Sequence, residues 1–183
     1  MPDSDNTSPI TRFINNLKAL DAGERARFKR NAGKTLAESY NVLGLFYHTA
    51  LQGVHIPEYQ EETYFLVATL FPFEKKFQGE PQPFAQAMRT VRLRQIQTRK
   101  TKDRGQKLAL DTRMERLLDA DRQQLPYYLR REVQFVTNEG QRLEWGVLLY
   151  DLLHWDLPTR YVQKQWARMY FGSPAPEESE EAA

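Results

Sequence analysis

The 183-residue sequence predicts an all-α protein in which two packed helical-bundle lobes form one elongated body. Apolar residues recur at three- and four-residue spacing along most of the chain, which is the period of an amphipathic helix. Prolines and glycines interrupt these stretches where helices would begin and end. No segment alternates apolar and polar residues between turn residues, so no sheet is expected.

Two helices are expected at the start of the chain. Ser8 is followed by a proline, which gives an N-cap and a first helical position for a helix over 9–20. Asp21 and Glu24 have capping-box spacing and would open a short basic helix that Gly33 ends.

Three further helices are expected before the middle of the chain. Residues 41–51 form an apolar segment, and residues 57–71 begin with a proline and early glutamates that favour the helix dipole. Pro83 precedes a helix with one apolar face, made of Phe84, Ala87, Met88 and Val91.

Four helices are expected in the second half of the chain. They cover 109–119, a segment capped by Asp121 and ended by Gly140, residues 143–155, and a last helix that begins at 156–158 and ends at Gly172. The expected domains are an N-terminal lobe over 9–97, a basic connecting segment over 98–108, a C-terminal lobe over 109–172 and a disordered acidic tail over 173–183.

The positive charge is concentrated in one stretch that runs from the end of the N-terminal lobe through the connecting segment. Residues 88–107 contain eight Lys or Arg and a single acid, Asp103. The net charge of +2 hides a basic body, because residues 1–176 carry 26 basic and 20 acidic side chains, a net of +6. Neighbouring cations favour nucleic acid because they release condensed counterions. The alternative for such a stretch is a solvated loop.

Composition excludes several classes of protein. The chain has no cysteine, which excludes disulfides, Cys-based zinc sites, iron–sulfur clusters and thiol catalysis. Residues 1–8 are acidic and polar and do not form a signal peptide. The most apolar helix, over 143–155, is shorter than the roughly 20 residues that a membrane span needs. We therefore expect a cytoplasmic protein without membrane contact.

No catalytic pattern is present in the sequence. His48, His55 and His154 fall in separate elements without metal-ligand spacing, and no phosphate-binding glycine loop occurs. The three tryptophans lie on apolar helix faces, which favours core positions over base stacking. We expect no enzymatic activity, no cofactor and no metal.

The candidate nucleic-acid-binding residues are cations that repeat at helical spacing or cluster in the connecting segment. They are Arg27, Arg30, Lys34, Arg92, Arg94, Arg99, Lys100, Lys102, Arg104, Lys107, Arg130, Arg131, Arg160 and Lys164. Because Gly33 would end the helix, it stays open whether Lys34 continues the helical spacing of Arg27 and Arg30. Arg130 and Arg131 are adjacent and cannot face the same way. The alternative for each set is a solvated face or an internal ion pair. For Arg130 and Arg131, the alternative is that one of the two forms a salt bridge, for instance with an acid of the neighbouring helix.

Four fragments of the second half occur in a characteristic order. They read T-R-M-E-R-L-L-D-A-D at 112–121, L-P-Y-Y-L-R-R-E-V at 125–133, L-E-W-G-V-L-L-Y-D-L-L-H-W at 143–155 and W-A-R-M-Y-F at 166–171. With looser matches at 27–34 and 84–92, this order resembles the CasB small-subunit family of type I-E CRISPR Cascade complexes.

The resemblance implies an all-helical, non-enzymatic subunit that joins other Cascade proteins, a second copy of itself, guide RNA and target DNA. In RNA-guided systems base pairing reads the sequence, so a supporting subunit needs only sequence-independent phosphate contacts. The basic residues in matching segments are Arg30, Arg130, Arg131 and Arg160. The insertion at 98–108 and the acidic tail match no fragment of the family.

Two other classes remain open at this stage. A helix-turn-helix regulator is also small, helical and basic, but the second helix of the nearest candidate, over 143–155, is mostly apolar where a recognition helix carries polar residues. A protein adaptor would use the same cations to bind acidic partner surfaces.

Overall fold

The computed structural model describes residues 8–74, 79–99 and 107–172. Nine α-helices lie in these ranges, with a π-helical turn after α3 and a 3₁₀ turn after α4. The helices are α1 Pro9–Ala19, α2 Ala22–Arg30, α3 Leu43–Leu45 continued by the π turn Phe46–Ala50, α4 Glu58–Leu70 continued by the 3₁₀ turn Phe71–Phe73, α5 Phe84–Thr98, α6 Ala109–Asp119, α7 Leu125–Asn138, α8 Trp145–Leu153 and α9 Tyr161–Phe171. The predicted all-α fold is confirmed.

The N-terminal caps are those that the sequence predicts. The Ser8 hydroxyl accepts a hydrogen bond from the Thr11 N–H at 3.2 Å. Asp21 and Glu24 accept reciprocally from each other's backbone N–H groups, at 2.8 and 2.9 Å. These bonds satisfy N–H groups that have no partner within the helix. α2 ends at Arg30, and Gly33 reverses the chain three residues later with φ of 80°.

The expected helix over 41–51 is shorter and less regular than predicted. Only three residues are α-helical, and the Leu51 N–H reaches back five residues to the Phe46 carbonyl at 2.9 Å. Phe46 is buried and meets Phe65 of α4 edge to face, with ring centroids 5.3 Å apart. Packing therefore decides the local geometry of this segment, as it often does where helix propensity is weak.

The expected helix over 143–155 begins two residues late and ends two residues early. Gln82 pairs with the chain around Leu143 in an isolated parallel bridge, with bonds of 3.0 Å to the Arg142 carbonyl and 2.9 Å from the Glu144 N–H. Because residues 142–144 are held in this extended pairing, α8 starts only at Trp145.

The start of the last helix at 156–158 is also wrong. α9 starts at Tyr161, because Arg160 adopts a left-handed conformation with φ of 50° and ψ of 37° that a continuous α-helix does not allow. Its N–H closes a turn onto the Leu157 carbonyl at 2.8 Å. Gly172 ends the helix as predicted.

The two halves of the chain contribute to one continuous hydrophobic core. α5 packs along α9, α1 and α4 both pack against α8, and α2 packs against α4. Trp166 of α9 lies between Phe84 of α5 and Trp155, with ring centroids 4.8 and 5.1 Å away. The boundaries of the two predicted lobes stay a prediction.

A buried polar network joins α5, α6 and α9. Asp111 accepts from the Arg92 guanidinium at 2.8 Å and from the Tyr170 hydroxyl at 2.9 Å. Burial acts to raise the pKa of Asp111, but the hydrogen bonds from Arg92 and Tyr170 outweigh it and lower the pKa. Asp111 is therefore held as a carboxylate, the form that accepts both of these hydrogen bonds.

Asp151 is a second buried aspartate, and its environment has the opposite effect. Its carboxylate accepts from the Trp166 indole N–H at 2.7 Å, and burial raises its pKa above the ordinary value. A group with a raised pKa in the folded state stabilises the protein below its unfolded pKa of about 3.9, and this contribution is lost as the pH rises through the folded pKa.

We expect Asp151→Asn to remove this pH dependence while its amide oxygen still accepts from Trp166. Measured by chemical denaturation from pH 4 to pH 7, the free energy of unfolding of the variant should rise relative to the wild type as the pH increases. Asp111→Asn is the matched control: because the folded pKa of Asp111 is lowered, the wild type should lose its advantage over this variant only as the pH falls below about 4. A pH-independent difference for Asp151→Asn would contradict the assignment.

Candidate nucleic-acid interface

Three predicted cations meet at one open cleft. Arg27 and Arg30 of α2 and Lys34 of the following turn line a cleft of about 540 Å³, together with Asn31 and Asn41. The Arg27 guanidinium donates to the Asn41 carbonyl at 2.5 Å, which fixes one wall of the cleft. The turn at Gly33 does not remove Lys34 from the set, because the structure places it in the same cleft as the two arginines.

Arg130 of α7, from the other half of the chain, lies against the turn at Gly33 that adjoins this cleft. A Cβ atom built on Gly33 would lie 3.1 Å from the Arg130 Cδ, so the arginine stem crosses the turn at the point where a side chain is missing. The positive φ of Gly33 and this close approach both favour glycine. We call Arg27, Arg30, Lys34 and Arg130 the α2–α7 basic surface.

The four side chains of the α2–α7 basic surface are exposed. Within the described ranges, none of them lies within 4.0 Å of a carboxylate in an ion pair. Sequence reasoning identified each residue but not their meeting, because 96 positions separate Lys34 from Arg130 and no local pattern links them. The surface is therefore a concentration of exposed cations without an ion-pair partner in the described ranges, although Arg27 also donates to the Asn41 carbonyl. The pKa of Glu38 is lowered by hydrogen bonds from Thr35 and further by the charge of Lys34.

Arg92 has a different environment from these cations. Its side chain is only 22% exposed, pairs with Asp111 at 2.8 Å and stacks on the Tyr170 ring at 5.4 Å. The hydrogen bond that Arg92 donates to Asp111 raises the pKa of Arg92. We therefore assign Arg92 to the polar network of the core.

Several other predicted cations have partners within the chain. Arg94 donates to the Glu139 carbonyl at 3.3 Å, Lys107 pairs with Glu115 at 2.5 Å, Arg131 lies 3.4 Å from Glu132, and Arg160 donates to the Leu118 carbonyl at 2.6 Å. Arg160 precedes α9, so it does not share the helical spacing predicted for it and Lys164, while Lys164 is exposed on the helix. Arg99 is the C-cap of α5, and Lys100, Lys102 and Arg104 lie outside the described residues.

The expected ion pair between neighbouring helices is made by a residue that the sequence analysis did not select. Arg113 of α6 lies 2.6 Å from Glu132 of α7, whose side chain is 1% exposed, and stacks on the Phe135 ring at 4.3 Å. Arg131 shares the same glutamate from its own helix. Arg130 is the member of the Arg130–Arg131 pair that faces the basic surface.

A second cleft of about 510 Å³ adjoins the α2–α7 basic surface and was not predicted. Its walls come from α4, the start of α7, the end of α8 and the residues that follow α8, and they include Leu66, Leu125 and Trp155. Lys34 lines both clefts.

The described residues contain no group of three His, Asp or Glu side chains that could hold a metal ion. None of the described helices combines the length and the apolar character of a membrane span. The tryptophans are buried, as predicted, and each indole N–H has an acceptor: Glu74 for Trp145, the Ala120 carbonyl for Trp155 and Asp151 for Trp166.

The fold and the cleft define an all-helical protein with a concentrated cationic face on two helices that are distant in sequence. Residues 24–171 match the family model of the CRISPR-associated protein Cse2, and the chain belongs to this family. The family that the sequence fragments indicate is thereby confirmed.

Individual relatives agree with this assignment. The chain is 44% identical over 70 residues to the CRISPR-associated protein Cse2 of Thermus thermophilus, a match that spans 38% of this chain and only 40% of that relative's length. The crystal structure of M. ruber CasB superposes with a TM-score of 0.69 at 27% identity, covering 90% of this chain and 93% of CasB. A chain from a CRISPR RNA-guided surveillance complex has a TM-score of 0.65 at 16% identity over 90% and 94% of the two chains, which shows a shared fold.

Proposed function

We propose that this chain is a non-catalytic small subunit of an RNA-guided CRISPR surveillance complex of type I-E. Its part is to give sequence-independent contacts that stabilise target DNA and the R-loop in antiviral defence. The observation that carries the proposal is the α2–α7 basic surface, in which four exposed cations from distant segments meet on a chain of the Cse2 family.

The chemistry of this surface suits phosphates rather than base edges. Arginine guanidinium groups form paired hydrogen bonds with phosphate oxygens, and Lys34 adds a point charge in the same cleft. Sequence is read by the guide in such complexes, and R-loop formation is a nearly balanced exchange. A few cationic contacts per subunit are therefore enough to favour the opened duplex.

The expected partners follow from the same role. They are the other Cascade proteins, guide RNA, target DNA and a second copy of this chain, in a cytoplasmic complex. The similarity in fold to a chain of a CRISPR RNA-guided surveillance complex supports this assembly.

We expect the isolated protein to bind DNA and RNA weakly and without sequence preference. For each phosphate that it neutralises, log K should fall by about 0.9 per unit of log salt on duplex DNA and by about 0.7 on single strands. Fluorescence anisotropy on two unrelated sequences over a salt series measures both properties. Salt-insensitive binding to one defined duplex would instead support a regulator.

We also expect no hydrolysis of nucleotides and no cutting of labelled DNA or RNA, with or without divalent metal. Cleavage by the purified protein that is lost when one acidic residue is changed would contradict the non-catalytic role.

A further inference from the structure

Tyr40 lies in the loop between α2 and α3, and its side chain is 86% exposed, more than any other large aromatic or aliphatic side chain in the described ranges. Among the described residues, its ring has no stacking partner and its hydroxyl makes no hydrogen bond. Single exposed side chains of this kind are common on protein surfaces, so exposure alone assigns no role. The surroundings of the ring decide what it can bind.

The loop around Tyr40 is held in place on both sides. Ser39 is buried, and its hydroxyl donates to the Thr35 carbonyl at 2.8 Å. Val42 is also buried, and its carbonyl accepts from the Phe46 N–H at 2.9 Å. The backbone therefore fixes the point from which the ring projects, while the ring itself stays open to solvent.

The cations of the α2–α7 basic surface begin directly beside this ring. Asn41, the next residue, lines the cleft with Arg27, Arg30 and Lys34. The Arg27 guanidinium donates to the Asn41 carbonyl at 2.5 Å, so the Cα atom of Tyr40 lies within about 9 Å of the donating nitrogen. This distance is short enough for one nucleotide to place its phosphate on Arg27 and its base on the ring.

Two other strongly exposed tyrosines have different surroundings. Tyr59 is 75% exposed, but it lies among three glutamates at the start of α4, whose charges repel a phosphate backbone. Tyr127 lies three residues before Arg130, but its ring already packs edge to face on Tyr128, with ring centroids 5.3 Å apart. Tyr40 combines an uncovered ring with neighbouring cations, which neither of the others does.

We propose that the Tyr40 ring stacks on an unpaired base of a single strand whose phosphates lie on the α2–α7 basic surface. The inference rests on the proposed function, since the strand is the one that the basic surface holds. Every base has a face that stacks on an aromatic ring, so the contact adds affinity without reading the sequence. Bases inside a duplex are covered by their neighbours on both faces, so the contact also favours the single strand over the duplex.

Two short DNA strands of equal length test the inference, one with bases and one with abasic residues throughout. We expect full-length Tyr40→Ala protein to bind the strand with bases about 5- to 150-fold more weakly than the wild type, which is the loss of one stacked base. Its affinity for the abasic strand and the salt dependence on both strands should stay unchanged, because the phosphate contacts are the same. An equal loss on both strands, or no loss on the strand with bases, would overturn the inference.

The matched controls are Tyr40→Phe and Tyr59→Ala. Tyr40→Phe keeps the ring and removes the hydroxyl, and Tyr59→Ala removes a ring of similar exposure from α4, so both should bind the two strands like the wild type. If either control loses as much affinity for the strand with bases as Tyr40→Ala, stacking on this ring is not responsible and the inference is wrong. If Tyr127→Ala loses the preference for bases and Tyr40→Ala keeps it, the base lies on α7, which is equally contrary to the inference. Circular dichroism of each variant establishes that it folds.

The wild-type protein separates a failure of this inference from a failure of the proposed function. If it binds the strand with bases and the abasic strand equally, only the inference is overturned. If it binds neither strand, the proposed function is contradicted and the inference falls with it. If Tyr40→Ala binds both strands like the wild type but does not join the assembled complex, a protein partner covers the ring instead of a base, and the inference is again overturned.

Discussion

We expect Trp166→Ala to lower the free energy of unfolding by about 3–5 kcal/mol, as the removal of a large buried aromatic side chain commonly does. The Trp166 ring is 2% exposed and joins Phe84 of the first half of the chain to Trp155 of the second. Its indole N–H also donates to the buried Asp151, which would lose its hydrogen bond. Folded domains are stable by only about 5–15 kcal/mol, so the variant loses a large part of its stability.

Urea denaturation followed by circular dichroism measures this loss. Trp166→Phe is the control, because it keeps an aromatic ring against Phe84 and removes mainly the hydrogen bond to Asp151. It should therefore lose less stability than the alanine variant. If Trp166→Ala lowers the free energy of unfolding by less than about 1 kcal/mol, the ring contributes little to the packing of the two halves against each other.

The second large effect is expected on nucleic-acid binding. Changing Arg30 and Arg130 together to alanine removes two exposed cations of this surface, one from each half of the chain. The slope of log K against log salt on single strands should become shallower by about 1.4, which is two phosphate contacts at about 0.7 each. Helicity and stability should change little, since exposed truncations alter folding by less than about 0.5 kcal/mol each.

The matched control is Lys18→Ala with Arg116→Ala, because it removes the same charge from exposed positions on α1 and α6 outside the cleft. If both double variants weaken binding equally, net charge alone is responsible and the basic surface is not a site. If Arg30→Ala with Arg130→Ala retains target DNA normally but fails to join the complex, these residues bind a protein partner. The chain would then be an adaptor.

Alanine variants distinguish the exposed arginines from the arginines of the core, which the sequence alone could not distinguish. Arg30 and Arg92 both have helical neighbours of like charge, yet one is exposed and the other lies 2.8 Å from a buried carboxylate. Arg92→Ala should therefore behave more like a core variant, because it leaves Asp111 without its cationic partner.

Much of the fold could be predicted because the responsible interactions are local. The capping bonds at Ser8 and at Asp21 with Glu24 join residues three positions apart, so their spacing is visible in the sequence. The helical period of apolar residues in α1 and α9 likewise reports which face is buried. The all-α class and the ordered fragments of the Cse2 family depend only on such local patterns.

Tertiary structure decided the features that depend on residues far apart in the chain. The pairing of Gln82 with Leu143 shortened α8, and the stem of Arg130 over Gly33 completed the basic surface. Asp111 removed Arg92 from the available cations, although 19 positions separate them. The sequence by itself determined which segments are helical and which residues are charged, since both are local properties. Packing decided which charges meet and which are neutralised by a partner, because packing brings distant helices within hydrogen-bonding distance.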